Sequence, residues 1–320
     1  MNQLDVVTFG EAMAMFMADE TGALDSVDHF CRELAGAETN FAIGMARLGY
    51  ASGWASQVGN DAFGRYIIRR LKDEGVNSEQ VLLSNEYPTG FQLKAKVSEG
   101  DPEVQYFRKG SAASHLHPDD LVEQYFQSTR HLHMTGIPLA LSSSTRAFAL
   151  RALETMKQAG KSISFDPNLR PSLWRSKEEM VRVINEFAVQ TDTVLPGLEE
   201  GQILTGLTLP EDIAAFYLDK GVEKVVIKLG AKGAYYRSRH EEGYVVGLTV
   251  KKVVDTVGAG DGFAVGVVSG LLDQVNLHEA VKRGNTIGAL AVQSKGDNDG
   301  YPNREELNES MQINEYEGVM

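Results

Sequence analysis

The run Asp255-Thr256-Val257-Gly258-Ala259-Gly260-Asp261-Gly262-Phe263 is the part of this sequence best equipped for chemistry. Gly258, Ala259 and Gly260 carry little or no side chain, so the backbone here can approach a ligand closely. At the start of a helix, their amide hydrogens make an anion site whose donors and dipole both favour a phosphate. Asp261 then falls in the first helical turn, facing whatever that site holds. Taken alone, an Asp at a helix start is more often a cap or a partner of the dipole. A strand expected over 249–254, the small-residue turn, an apolar helix expected over 262–272 and a second carboxylate at Asp255 together argue for a site.

These residues need a scaffold, and the rest of the chain alternates strands with helices. Residues 6–10 read as a short buried strand. Phe41, Ala42, Met45 and Leu48 have helical spacing over 38–48, and Gly49 supplies the stop. Further strands are expected at 54–59, 162–166, 193–195 and 224–229, with helices at 61–74, 143–159, 177–190, 210–220 and 278–294. Strands separated by helices of this length imply βαβ units and a mostly parallel sheet covered on both faces. Residues 13–34 and 87–110 lack helical periodicity, and 91–97 alternates as a strand with one wet face. They are expected to form a small β-lid on a single α/β domain spanning 1–320. Ligands of open α/β sheets bind beyond the carboxyl ends of the strands, which such a lid would cover.

Composition bounds the partners. Of 320 residues, 42% are apolar and 23% charged, which excludes general disorder. The 31 Lys and Arg against 44 Asp and Glu give a net charge of −13, which argues against nucleic acid as a partner. An anionic small substrate must therefore be held by a few locally placed cations. The longest apolar stretch, 263–272, falls well short of the roughly 18 residues a membrane span needs. Residues 1–5 have no basic start, so no membrane partner and a cytoplasmic address are expected. The single cysteine, Cys31, excludes an intramolecular disulfide and a Cys-rich metal site. His115 and His117, like His131 and His133, lack the further ligands of a zinc set. There is no P-loop, since Arg65 and Tyr66 follow Gly64, and Phe263 breaks a dinucleotide fingerprint.

The run 255–263 closely resembles the DTxGAGD signature of the ribokinase-like (PfkB) carbohydrate kinases, and the resemblance extends along almost the whole chain. Residues 35–42 are similar to the family's Gly-Gly-Ala-x-x-Asn-x-Ala element, 59–64 to its Gly-x-Asp-x-x-Gly turn, and 228–234 to its turn near the nucleotide. The resemblance implies a three-layer α/β/α fold and phosphorylation of a carbohydrate by ATP with Mg²⁺. It implies that Asp261 takes the proton of a sugar hydroxyl while the amides of Gly258, Ala259 and Gly260 stabilise the transferred phosphoryl group. Gly36 and Asn40 would meet the sugar. Lys228, Gly230, Gly233 and Asn285 would lie around the nucleotide, with Gly258 and Gly260 at its phosphates. Asp255 and Thr256 belong to a turn that in some members also touches a monovalent cation. Glu200 matches the Glu of the family's Asn-x-x-Glu, implied to act through water on magnesium, but Gly197 stands at the usual Asn position. A homo-oligomer, a dimer through the lid or a higher assembly, is also implied.

Within the family, Tyr87-Pro88-Thr89-Gly90, the run 106–113 and the stretch 166–171 with Leu173-Trp174 resemble the branch acting on 2-keto-3-deoxygluconate. Fructokinases share the last stretch. This implies Tyr87, Tyr106, Arg108 and Arg170 at the substrate, beside Gly36 and Asn40. A sugar acid carries a carboxylate, and one charge-assisted bond to Arg contributes roughly 1.5–3 kcal/mol. As a lone pair of basic residues, Arg108 and Lys109 read equally well as solvated charges on a lid strand. Two alternatives stay open: a kinase of a neutral sugar, of fructose or ribose type, and a catalytically inactive sugar sensor.

Overall fold

The short β-branched and aromatic runs become strands of two sheets. The computed structural model describes residues 3–97 and 102–317. In chain order its strands are β1 (Val6–Phe9), β2 (Met13–Thr21), β3 (Phe30–Ala35), β4 (Ser52–Gly59), β5 (Val81–Ser84), β6 (Phe91–Lys96), β7 (Val104–Phe107), β8 (His131–Thr135), β9 (Ser162–Asp166), β10 (Thr193–Val194), β11 (Lys224–Lys228), β12 (Gly233–Ser238) and β13 (Glu242–Val246). The main sheet has the order β13-β12-β11-β10-β9-β8-β1-β4-β5. Its neighbours are parallel from β5 through β11, while β12 and β13 form an antiparallel hairpin at one edge. Strands covered on both faces read as unbroken apolar runs, as β1 does with all four residues buried.

Helices cover both faces. Helices α1 (Ala37–Arg47) and α2 (Ala62–Asp73) share one side with the later helices α9 (Ala259–Leu272), α10 (Leu277–Ala291) and α11 (Arg304–Glu317). The opposite side holds α3 (Glu123–Gln127), α4 (Ile137–Leu141), α5 (Ser143–Gln158), α6 (Lys177–Ala188), α7 (Leu198–Thr205) and α8 (Pro210–Leu218). The result is the expected three-layer α/β/α arrangement. Phe9, Phe148 and Phe165 anchor one core, and Phe41, Val265 and Val268 the other.

Helices α9 and α10 lie backbone to backbone. A Cβ at Gly266 would sit 2.4 Å from the amide nitrogen of Gly284, and one at Gly270 would sit 2.5 Å from the Ala280 Cβ. Only small residues permit that approach.

Strands β2 and β3, from 13–35, and β6 and β7, from the described parts of 87–110, form a separate four-stranded sheet, order β3-β2-β6-β7. In β6 the alternation is present with its faces reversed. Polar Gln92 and Lys94 are buried, while Phe91 and Leu93 are half-buried, because the polar side meets other protein groups rather than water.

Two expectations near the catalytic run need correction. No strand forms at 249–254: the edge beyond β12 is taken by β13, and the Val254 amide instead donates to the carbonyl of Val292 at 2.7 Å. Helix α9 begins at Ala259, earlier than 262, with Gly258 as its N-cap. Edge strand β5 and the β12–β13 hairpin are not signalled by the alternation of helices and strands.

We expect Gly266→Ala to destabilise the fold by about 1–3 kcal/mol, because the added methyl group meets backbone that has no rotamer by which to yield. Urea unfolding of the two proteins measures this.

Candidate active site

The turn before α9 is fixed by a backbone conformation that only glycine adopts easily. Gly258 has φ of 83°, and a Cβ there would lie 1.7 Å from the carbonyl oxygen of Asp297. The Tyr301 hydroxyl donates to the Gly258 carbonyl at 2.5 Å. Among the described residues no side chain caps the first turn of α9, and its first amide, that of Ala259, donates at 3.4 Å to the Thr256 carbonyl. Gly258 and Gly260 line a cavity of about 250 Å³, together with Asp261.

Asp261 is aimed by two amides. Asn40 Nδ2 donates to its Oδ2 at 2.9 Å, and Asn168 Nδ2 reaches Oδ1 at 3.4 Å. Asn40 is itself oriented by Asn298, whose Nδ2 donates to Asn40 Oδ1 at 2.8 Å. Asn168 sits at φ of 40°, a left-handed region that Asn tolerates better than most residues. Burial pushes the Asp261 carboxyl up to about 7; the Asn40 hydrogen bond opposes this and the charge of Asp166 adds to it. Glu38, at the start of α1, is likewise pushed up to about 7 by burial. Its Oε1 accepts from the Thr135 hydroxyl, and among the described residues its Oε2 has no partner. Gly10 leaves the space it occupies, since a Cβ there would sit 2.3 Å from the Glu38 carboxyl carbon.

The carboxyl ends of the parallel strands supply the charges. Asp166, at the end of β9, takes a 2.7 Å bond from Lys228 Nζ, at the end of β11. Burial works against the Lys228 ammonium, but the charges of Asp166 and Glu200 outweigh it and hold its pKa above the usual lysine value. Arg108 Nε donates to Glu11 at 2.6 Å, and Ser111 bonds the same carboxylate. Arg170 donates to its neighbour's carbonyl, Leu169, at 2.9 Å, and among the described residues no carboxylate pairs with it. Glu200 accepts the amides of Leu169 and Gly197, each at 2.7 Å. A Cβ at Gly197 would lie 3.3 Å from Glu200 Oε2, a tight contact that the Glu200 side chain would have to relieve.

A second cavity, of about 340 Å³, lies on the other side of the turn. Gly230, Gly233, Ala259, Phe263 and Asn285 line it, with Val250, Val253 and Val292 giving it an apolar wall. Lys228, Thr256 and Gly260 line both cavities. They form the seam between the two spaces.

The first cavity gathers Gly36, Asn40, Tyr106, Arg108, Arg170, Glu200, Lys228, Gly258, Gly260 and Asp261. Ala259, Gly230, Gly233 and Asn285 fall in the second, with Lys228 and Gly260 at the seam. Tyr87 does not line the first cavity: its ring stacks on His115 with centroids 3.5 Å apart. Asn285 reaches the second cavity with its amide hydrogens already given to the carbonyls of Val245 and Val246. In the turn 59–64, Asp61 caps α2 and accepts the Thr89 amide at 2.8 Å, which anchors the chain leading to β6. His131 and His133 bond the hydroxyls of Ser162 and Ser164 inside the sheet. Glu11, Gln92, Asn168 and Asp297 also line the first cavity and were not singled out by the motifs. Glu11 lies just beyond β1, Gln92 on the alternating segment 91–97 and Asn168 inside the stretch 166–171, while Asp297, in the segment after α10, carried no signal.

This arrangement is that of a carbohydrate kinase. The profile of the pfkB family carbohydrate kinases matches residues 3–304, and the chain belongs to that family. It is 54% identical over 306 residues to the 2-dehydro-3-deoxygluconokinase of Bacillus subtilis, covering 95% of this chain and 94% of that one. A PfkB protein from Polaromonas sp. JS666 superposes with a TM-score of 0.89 at 50% identity, covering 95% of this chain and 99% of the other. A putative ribokinase II from E. coli, solved in complex with ATP and Mg²⁺, gives a TM-score of 0.89 at 29% identity, covering 97% and 99%.

As the proposed base, Asp261 would work only when deprotonated. We expect kcat/KM to rise with pH through an apparent pKa of about 7 and then level off. Asn40→Ala removes a hydrogen bond that favours the charged form, so the midpoint should move to higher pH. A pH–rate profile of both proteins checks this.

Proposed function

We propose that the chain transfers the γ-phosphoryl group of ATP to the terminal hydroxyl of 2-keto-3-deoxygluconate, giving the 6-phosphate. The observation that supports this best is the pair of cavities meeting at the Gly258–Gly260 turn, with Asp261 facing the sugar side. The apolar second cavity suits an adenine and ribose, and the turn amides suit the phosphates between the two spaces. The Bacillus relative, named for this substrate, supports the choice of sugar acid.

Asp261 takes the hydroxyl proton, a role that typically contributes ~10²–10⁴ in rate. The turn amides and the Lys228 ammonium stabilise the charge of the phosphoryl group as it passes across the seam. Glu200 and Asp166 suit a hydrated magnesium ion: each Glu200 oxygen accepts one backbone amide and keeps a lone pair for water. Bound there, the ion would neutralise phosphate oxygens. The small sheet acts as a lid on one α/β domain, contributing Met13, Gln92, Tyr106 and Arg108 to the cavity and keeping water from the phosphoryl group. The substrate carboxylate is held chiefly by Arg170, because Arg108 already faces Glu11 and retains only its remaining N–H donors. Pairing of two copies through the lid would cover Tyr106 and Phe107, which are 46% and 43% exposed on β7. No helix among the described residues is long and apolar enough to cross a membrane, and a cytoplasmic setting supplies the ATP.

Asp261→Asn should lower kcat by about a hundredfold or more while nucleotide binding, followed by thermal shift with MgADP, is kept. Retained turnover would remove Asp261 as the base. Arg170→Gln should raise the KM for the sugar acid roughly 10- to 100-fold, the loss of one charge-assisted bond, and leave the KM for ATP unchanged. Turnover of fructose as efficient as that of the acid would favour the neutral-sugar reading.

A further inference from the structure

Lys94 lies within β6 of the small sheet, and its side chain is 2% exposed. Its ammonium stands 2.5 Å from Asp255 Oδ2 and 3.2 Å from Asp297 Oδ1, carboxylates that are themselves 10% and 4% exposed. Burial works against this charge, but Asp297 and Asp255 outweigh it and hold the Lys94 pKa above the usual lysine value. The two aspartates flank the catalytic turn. Asp255 opens it, with Oδ1 accepting the Val257 amide at 3.0 Å. Asp297 packs its carbonyl against Gly258, and the next residue, Asn298, orients Asn40 and through it Asp261. One ammonium thus joins the two segments that shape the anion site and aim the base.

The same turn is where family resemblance implies a monovalent cation in some members. The residues present do not fit one. Asp255 Oδ2 is occupied by Lys94 and Oδ1 by a backbone amide, and an added alkali ion would have to approach a buried ammonium at close range.

We propose that Lys94 is a positioning residue that supplies, from within the chain, the positive charge for which some relatives use a diffusible cation, so that this enzyme needs no alkali ion. A tethered charge differs from an ion in one respect: it also fastens the lid strand to the catalytic turn. The inference rests on the kinase reading for its turnover readout only.

The test begins with the unaltered protein in potassium chloride and in tetramethylammonium chloride of equal ionic strength. Turnover, melting temperature and MgADP affinity should be the same in both; a potassium-specific rise in any of them overturns the proposal. The melting and MgADP measurements need no sugar, so their outcome is separate from that of the substrate assignment. Lys94→Met should lower kcat by about tenfold or more, as expected for loss of a charge-assisted contact, with the KM for sugar little changed. Potassium or methylammonium should then restore part of the loss. A variant with full kcat, or one that folds by circular dichroism but is rescued by no cation, overturns the proposal. If Lys94→Met does not fold, the ion comparison on the unaltered protein decides alone.

Discussion

The structure turns on a carboxylate placed where burial resists its charge. As the proposed base Asp261 must be ionised, yet burial and the neighbouring charge of Asp166 push its pKa up to about 7. The hydrogen bond from Asn40 and the charge of Arg170 pull the other way, and the Asn40 amide is held by Asn298. The aspartate is therefore basic enough to accept a proton and still largely deprotonated above neutrality. A fully solvated Asp, with its low pKa, would be a poorer acceptor. Its placement depends on Gly258, because the left-handed turn pressed against Asp297 sets where α9 begins.

Charge around the site is almost entirely spoken for. Lys228 faces Asp166, Arg108 faces Glu11 and Lys94 faces Asp255 and Asp297. Arg170 is the cation of the sugar cavity that no carboxylate pairs with among the described residues. In a protein of net charge −13, that leaves a localised attraction for an anion inside a field that otherwise repels one. Paired cations also stay in place before the substrate arrives, which keeps the donors organised for the reaction.

Much of this was legible in the sequence. The strands 162–166 and 193–195 and the helices beginning at 143, 177 and 210 follow directly from hydrophobic spacing and glycine stops, because their burial matches their local preference. The 255–263 run announced the catalytic turn through its small residues. What local pattern could not give were choices made by distant partners. Residues 249–254 have the β-branched composition of a strand, but the place beside β12 is taken by β13 and the Val254 amide is claimed by the Val292 carbonyl. Lys94 alternates like a solvent-facing residue and is buried because two aspartates more than 150 positions away neutralise it. Tyr87 sits in a matching motif, yet its ring is claimed by His115.

The contact between α9 and α10 has a consequence for motion. Gly266 and Gly284 bring the two backbones together, so the helix that carries Asp261 in its first turn and the helix that carries Asn285 and Gly288 of the apolar cavity are packed as one unit. Neither can swing without the other. Any closure of the cleft is then expected to come from the opposite wall, with the proposed nucleotide side already assembled.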